Sequence, residues 1–495
     1  MGLTVAQLIF RTPHNFTPRH KPFPYQEQAF EAIKDLEYSA ILHEQGLGKT
    51  KIALDLLLYW LAKDVVDSVI LVVKKGLVAN WTKEISAHTS LKPKLLTQHK
   101  ADNFHAFNAP HRLYLAHFEA IKGEQARLAL FCRTRRVGIV IDEVQKIKNP
   151  DAALTKSFLE LSKGFVRRAI MTGTLVANRP YDAWAPIRFL DGGKSLGSDF
   201  ESFRKDFDFS DELPDDASRR EAFQERLASL FGKISAFAVR ETKDGAGIDL
   251  PSKVFRTVTC TWETEQEELY KQIRDEYRAI VERRGMPALD EAEGILKRLL
   301  RMVQIASNPK LVDESYDRTP GKFTALENLL TGTVQRGEKA VIWTGFTENA
   351  DWLAAQLSAY GTVKVHGKMA IEARNRSIER FLHEDGVRLL VATPGAAKEG
   401  LTLTVANHVI FYDRSFSLDD YLQSQDRIHR ISQTRTCYVH NLVMAESVDE
   451  WVDVLLGEKE LAAKLAHGDI AAEDFSADMT YQMYAVLKSV LGIEE

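Results

Sequence analysis

The sequence predicts an α/β protein of two lobes, each a doubly wound parallel sheet flanked by helices. Three observations lead there. Short runs rich in Val, Ile and Leu recur in the first part of the chain, at residues 40–42, 68–73, 112–115, 137–141 and 168–171. A second series recurs at 340–343, 362–366, 387–392, 408–412 and 437–443. Between the two, from about 176 to 323, strand signals thin out and charge-rich helical patterns take over, including 264–284 and 291–305. Continuous apolar runs bounded by polar or Gly-containing loops mark strands buried on both faces, and helices must cover those faces. The middle stretch reads as helical protrusions between the lobes. Within it, the run KDGAGIDLP at 243–251 has the Gly, Asp and Pro punctuation of a linker, which sets the lobe boundary.

Composition narrows the function classes. A chain of 495 residues exceeds what one core holds, since domains usually run to about 100–200 residues. The net charge of −4 supplies no global positive field, so any nucleic-acid surface has to be local. Cys132, Cys260 and Cys437 lie far apart with no C-x-x-C pair, which argues against a disulfide framework and a zinc ribbon and favours a reducing, cytoplasmic compartment. The longest apolar run, 52–62, is short and broken by Asp55, so neither membrane insertion nor secretion is expected.

Chemistry enters at the end of the first run. Ile41-Leu42-His43-Glu44-Gln45-Gly46-Leu47-Gly48-Lys49-Thr50 follows a strand candidate and opens a helix candidate at 51–61. Gly46 and Gly48 let backbone N–H groups approach phosphate oxygens, Lys49 reaches the β- and γ-phosphates, and Thr50 ligates Mg²⁺. The plain alternative is a Gly-rich turn before an ordinary helix, with His43 where such loops usually begin with Gly. Downstream, Val137 to Ile141 ends in Asp142-Glu143, two carboxylates at the end of a buried strand. That position is costly without a metal or hydrogen bonds. In nucleotide hydrolysis Asp142 would hold Mg²⁺ through its water shell, and Glu143 would orient and deprotonate the attacking water. The competing explanation is a helix N-cap followed by a first-turn acid.

Two further segments follow. Met171-Thr172-Gly173-Thr174 is by itself a strand-to-loop turn whose hydroxyls would link a nucleotide site to whatever the other lobe binds. Gln423-Ser424-Gln425-Asp426-Arg427-Ile428-His429-Arg430-Ile431-Ser432-Gln433 puts Arg427 and Arg430 three apart, on one predicted helical face. An arginine fork there would neutralise transition-state charge on a γ-phosphate; the plain alternative is a solvated basic face.

In this order the segments resemble the motifs of superfamily-two helicase-like ATPases of the Swi/Snf type, over nearly the whole chain. Phe23-Pro24-Tyr25-Gln26 resembles the adenine-reading entry motif, which assigns Gln26 with Gly46, Leu47, Gly48, Lys49 and Thr50 to ATP. ILHEQGLGKT resembles motif I, LVVKKGLVANWTKE motif Ia, IDEVQKIKN motif II, MTGTLVANRP motif III and QSQDRIHRISQ motif VI. Gln145 stands where the family usually has His, and the motif V segment from Thr393 to Gly400 lacks paired glycines, so altered coupling of ATP to DNA is expected.

The resemblance implies two RecA-like lobes. The first spans 1–250, with a helical protrusion from about 177; the second spans 251–495, with a helical insertion at about 255–322 and a helical tail from about 452. It implies an ATPase with ATP and Mg²⁺ as cofactors, Lys49, Asp142, Glu143, Arg427 and Arg430 as catalytic residues, and Thr50 and Asp142 toward the metal. Movement along double-stranded DNA, in replication, repair or recombination, is the expected function, with Lys74, Lys75, Trp81, Lys368, Thr393 and Lys398 as nucleic-acid contacts. A monomer of compact bacterial or bacteriophage type, in the cytoplasm, is the expected form. A strand-separating DNA or RNA helicase and an ATP-gated binding switch are the alternatives.

Overall fold

Seven strands form the first sheet of the computed structural model, which describes residues 14–176, 178–207, 217–248, 250–284, 292–397, 401–471 and 490–492. They are β1 (Tyr38–Ile41), β2 (Ser68–Val73), β3 (Lys94–Leu96), β4 (Leu113–His117), β5 (Val137–Asp142), β6 (Arg167–Met171) and β7 (Ala238–Val239). The five predicted apolar runs are β1, β2, β4, β5 and β6. β2, β4 and β5 are buried along their whole length, as a sheet covered on both faces requires. β3 and β7 have three and two residues, too few to carry a periodicity. The spatial order is β3-β4-β2-β5-β6-β1-β7, and the recorded pairings are parallel.

The second sheet contains β8 (Lys253–Cys260), β9 (Ala340–Trp343), β10 (Thr362–Val365), β11 (Leu389–Ala392), β12 (His408–Phe411) and β13 (Cys437–Met444), in the order β10-β11-β9-β12-β13-β8. β8 corrects the sequence expectation, which started a helical insertion at about 255. It is an edge strand paired in parallel with β13 from Lys253↔Cys437 to Cys260↔Met444. Most of its side chains are not buried, so it alternates Thr, Val and charge without an apolar run. Helix begins only afterwards, at Thr264–Arg284 and Ala292–Ser307.

The helices that matter for the site are α1 (Pro24–Ile33), α2 (Lys49–Ala62), α3 (Val78–His88), α4 (Leu418–Gln425) and α5 (Val448–Ala466). Contacts divide the chain into two compact units, Met1–Ile248 with Ala462–Phe475, and Asp249–Leu461 with Ser476–Glu495. The sequence reading keeps the tail from about 452 in the second lobe. Instead Ala462–Phe475 join the first unit, for a physical reason. Asp469 forms a bidentate pair with Arg240, at 3.0 Å to Nε and 2.6 Å to Nη2, and both side chains are nearly buried. Beside it, Leu175 N donates to His467 Nε2 at 3.1 Å. No helix among the described residues is long and apolar enough to cross a membrane.

The second unit is held by a buried ion pair within its own core. Lys322 has no exposed surface, and its Nζ lies 2.5 Å from Asp449 Oδ2, which also accepts from Met444 N at 2.9 Å. Removing one partner leaves the other charge uncompensated in a low-dielectric interior. Lys322→Ala is therefore expected to lower stability by about 3–5 kcal/mol, read as an earlier denaturant midpoint at unchanged slope. A midpoint equal to wild type would show that the pair does not support the unit.

Candidate active site

The predicted phosphate loop leaves the C-terminal end of β1 and enters α2. Gly46 and Gly48 have φ of +88° and +69°. At Gly48 the left-handed backbone strains any side chain, and a Cβ would also lie 2.4 Å from Gln26 Nε2, displacing it. Gln26 does two jobs. Its Oε1 accepts from Phe23 N at 2.9 Å, capping α1, and its Nε2 donates to Leu47 O at 3.1 Å, tying α1 to the loop. Tyr25 Oη donates to the same carbonyl at 3.0 Å, a contact the sequence did not suggest. Lys49 Nζ donates to the carbonyls of His43, at 2.8 Å, and Glu44, at 3.1 Å. Leu47 is fully buried, and Thr50 is half-buried in the first turn of α2. Burial, then the Lys49 charge, presses the His43 imidazole down to about 4, so no second cation competes with Lys49 at neutral pH.

The carboxylates stand two strands away. β6 lies between β1 and β5 and pairs in parallel with both, so the phosphate loop, Thr172 and Asp142-Glu143 all emerge at one sheet edge. On the other side of β5, the register Val72↔Ile141 sets Val73 opposite Asp142 and Lys74 opposite Glu143. Lys74 Nζ accordingly lies 3.6 Å from Glu143 Oε2. Asp142 Oδ2 accepts from Trp81 Nε1 at 2.9 Å. Burial first, then the neighbouring Glu143 charge, raises the Asp142 carboxyl to about 6, while the Trp81 hydrogen bond, Lys49 and Lys74 oppose the rise. Glu143 sits at φ +52°, ψ +52°, left-handed backbone that a non-glycine residue seldom adopts outside functional sites. It precedes a 3₁₀ turn at Val144–Ile147 but makes no side-chain cap bond, so the N-cap explanation of this acid pair fails.

Thr172 is more than part of a turn. Gln145 Nε2 hydrogen-bonds Thr172 Oγ1 and donates to Thr174 O at 3.0 Å, joining the loop after β5 to the loop after β6. Gly173 packs against Gln45, and its carbonyl accepts from Arg240 Nη1 at 3.0 Å. With the Leu175–His467 bond, this loop is held from the phosphate loop, the carboxylate loop and the returning C-terminal segment, all within the first unit.

The oxygen-rich donor set of Thr50 and Asp142 fits Mg²⁺, a hard cation usually held by one or two carboxylates with phosphates and water. Among the described residues no group of three or more His, Cys, Asp and Glu side chains is placed to hold a metal alone. The remaining predicted residues distribute differently. Arg427 and Arg430 belong to the second unit and do not share a helical face: α4 stops at Gln425, Arg427 lies in a turn and Arg430 in a bend. The chain turns back there because Gln433 Nε2 donates to the carbonyls of Thr404, Ala406 and Ile428, and Gln433 Oε1 accepts from Thr434 N and Arg435 N. Arg427 is buried, and Arg430 Nη1 donates to Thr402 Oγ1 at 2.8 Å.

Of the nucleic-acid candidates, Lys75 is exposed, and Lys368 is exposed and paired with Glu348. Thr393 is buried at the end of β11, and Lys398 lies outside the described residues. Lys74 and Trp81 face the carboxylates. A signal for Trp81 was present: Leu77, Trp81 and Ile85 recur at four-residue spacing, the stripe of a helix face turned to a core, and the three are buried together.

Comparison with known proteins gives two family matches. A family model described as SNF2-related domain matches residues 25–311, more than half of the chain, and one described as helicase conserved C-terminal domain matches 321–432. An uncharacterized ATP-dependent helicase of Mycoplasma genitalium is 25% identical over 464 residues, covering 89% of this chain and 42% of that protein. A mouse DNA repair and recombination protein, RAD54-like, is 24% identical, covering 82% and 60%. The chain thus spans less than two thirds of either relative. A structure of the Sulfolobus solfataricus SWI2/SNF2 ATPase core in complex with double-stranded DNA shares 23% identity, with 95% of this chain and 98% of that chain covered and a TM-score of 0.42. With the first match running from the α1 entry segment through both catalytic loops and the second taking in Arg427 and Arg430, the chain belongs to the SNF2-related family.

Proposed function

We propose that this protein is an ATP-hydrolysing motor that moves along double-stranded DNA, acting in DNA replication, repair or recombination. The observation that carries the reading is the convergence of Lys49-Thr50, the Thr172 loop and Asp142-Glu143 at the same edge of three adjacent strands, β1, β6 and β5. Lys49 meets the β- and γ-phosphates, and Thr50 and Asp142 hold Mg²⁺, which when bound neutralises phosphate charge. Glu143 orients the attacking water and takes its proton. Arg427 and Arg430 answer the charge that develops on the transferred group. The Gln145–Thr172 bond joins the carboxylate loop to its neighbour, so a change at one is felt at the other. DNA as the track is supported by family membership. Because the whole chain carries a net charge of −4, the grip must come from local cations such as exposed Lys75 and Lys368.

Three outcomes test this reading. Glu143→Gln keeps the shape and loses the base, so turnover is expected to fall about 10²–10⁴-fold while ATP affinity holds; a variant retaining half the wild-type rate removes Glu143 from the role. Arg430→Ala is expected to slow hydrolysis by about 10³–10⁵-fold with DNA affinity preserved, and the reverse pattern reassigns Arg430 to the nucleic-acid surface.

The third compares ATPase stimulation by double-stranded DNA, single-stranded DNA and RNA, beside triplex-displacement and fork-unwinding assays. Stimulation by duplex irrespective of sequence, falling steeply between about 50 and 200 mM salt as phosphate contacts require, and triplex displacement without unwinding are expected. Stimulation by RNA alone, or efficient unwinding of plain duplex, overturns the motor.

A further inference from the structure

We propose that Trp81 is a positioning residue for the metal-binding carboxylate, an inference that rests on the reading of Asp142 as a Mg²⁺ ligand. Motif position alone gives Trp81 to the nucleic-acid surface. Its surroundings give it to Asp142: the indole is 2% exposed, and its Nε1–H donates to Asp142 Oδ2 at 2.9 Å. The placement follows from the fold. β2 and β5 are parallel neighbours, so the segment leaving β2 and entering α3 emerges beside the residues leaving β5. α3 turns Trp81 and Ile85 into the core formed with Val69, Leu71, Val73 and Val140, and the indole body packs there while its single polar atom reaches the carboxylate.

An indole N–H is a donor only, so it can hold Oδ2 but cannot compete for a cation. The bond fixes the plane of the carboxylate and leaves Oδ1 as the oxygen to present. Lys74 of the same segment lies 3.6 Å from Glu143 Oε2. One structural element thereby holds both acids, Lys74 one and Trp81 the other. Partners of this kind, which touch a ligand and never the metal, typically change metal affinity or activity by about 10–100-fold when removed.

The test uses binding, measured on the full chain with a fluorescent ADP analogue, with and without Mg²⁺. Trp81→Phe keeps the buried ring and deletes the donor. The Mg²⁺-dependent gain in ADP affinity is expected to shrink about 10–100-fold, while metal-free ADP affinity stays near wild type and the melting temperature falls only by what the smaller ring costs in packing. Benzothienylalanine at position 81, with sulfur in place of N–H and otherwise the shape of tryptophan, is expected to reproduce the loss without any packing change. An unchanged Mg²⁺ dependence with benzothienylalanine overturns the inference. So does equal loss of metal-free affinity and melting temperature in both variants, which makes Trp81 a packing residue, or weakened DNA binding with Mg²⁺ dependence intact, which returns it to the nucleic-acid surface. Asp142→Asn separates the two claims: if it too keeps the full Mg²⁺ dependence, the metal reading of Asp142 fails, whereas loss with Asp142→Asn alone defeats only the role of Trp81.

Discussion

The position of β6, paired in parallel with β1 on one side and β5 on the other, governs the first unit. Parallel strands end at a common edge, so three loops far apart in sequence are delivered to one place without any of them having to be long. The spacing of the strands then sets the spacing of the chemistry. The phosphate loop and the carboxylates stand two strands apart, and the Thr172 loop fills the interval and touches both through Gln45 and Gln145. The same rule on the far side of β5 brings the segment after β2 against the acids.

Two carboxylates side by side in a buried position oppose each other and the protein interior. The structure offsets this with the indole N–H of Trp81 at Asp142 and the ammonium of Lys74 beside Glu143. The Asp142 carboxyl nonetheless remains raised to about 6. On the proposed reading, a divalent cation and the nucleotide phosphates would engage the acids and Lys49 here.

Much of this was legible in the sequence. Ten apolar runs named ten of the thirteen strands among the described residues, most of them because a strand buried on both faces leaves an unbroken apolar signature. β8 hid because an edge strand with exposed side chains leaves none, and β3 and β7 were too short. In the candidate site, the strand–loop–helix placement of Lys49 and Thr50 and the strand-end placement of Asp142 and Glu143 were legible in the local pattern. Arg427 and Arg430 were expected on one helical face and are not, because the turn there is imposed by Gln433 reaching three carbonyls, two of them distant in sequence. Trp81 and Lys74 were assigned by motif position, and only the strand register revealed what they face. The hold of His467 and Asp469 on the first unit had no local signal at all.

That last contact bears on how the chain comes to be folded. Leu175 and His467 are 292 positions apart, and Arg240 and Asp469 are 229 apart. Chains are made from the N-terminus, and domains generally fold as they emerge. Here the sheet of the first unit can form early, yet the Thr172 loop acquires its His467 and Arg240–Asp469 supports only after Asp249–Leu461 of the second unit has been synthesised. Closing so long a loop is entropically costly and slow, so these contacts form late. The unit that is begun first is thus closed only near the end of the chain, and a chain interrupted before Asp469 carries the phosphate loop and both acids without the segment that fastens the loop between them.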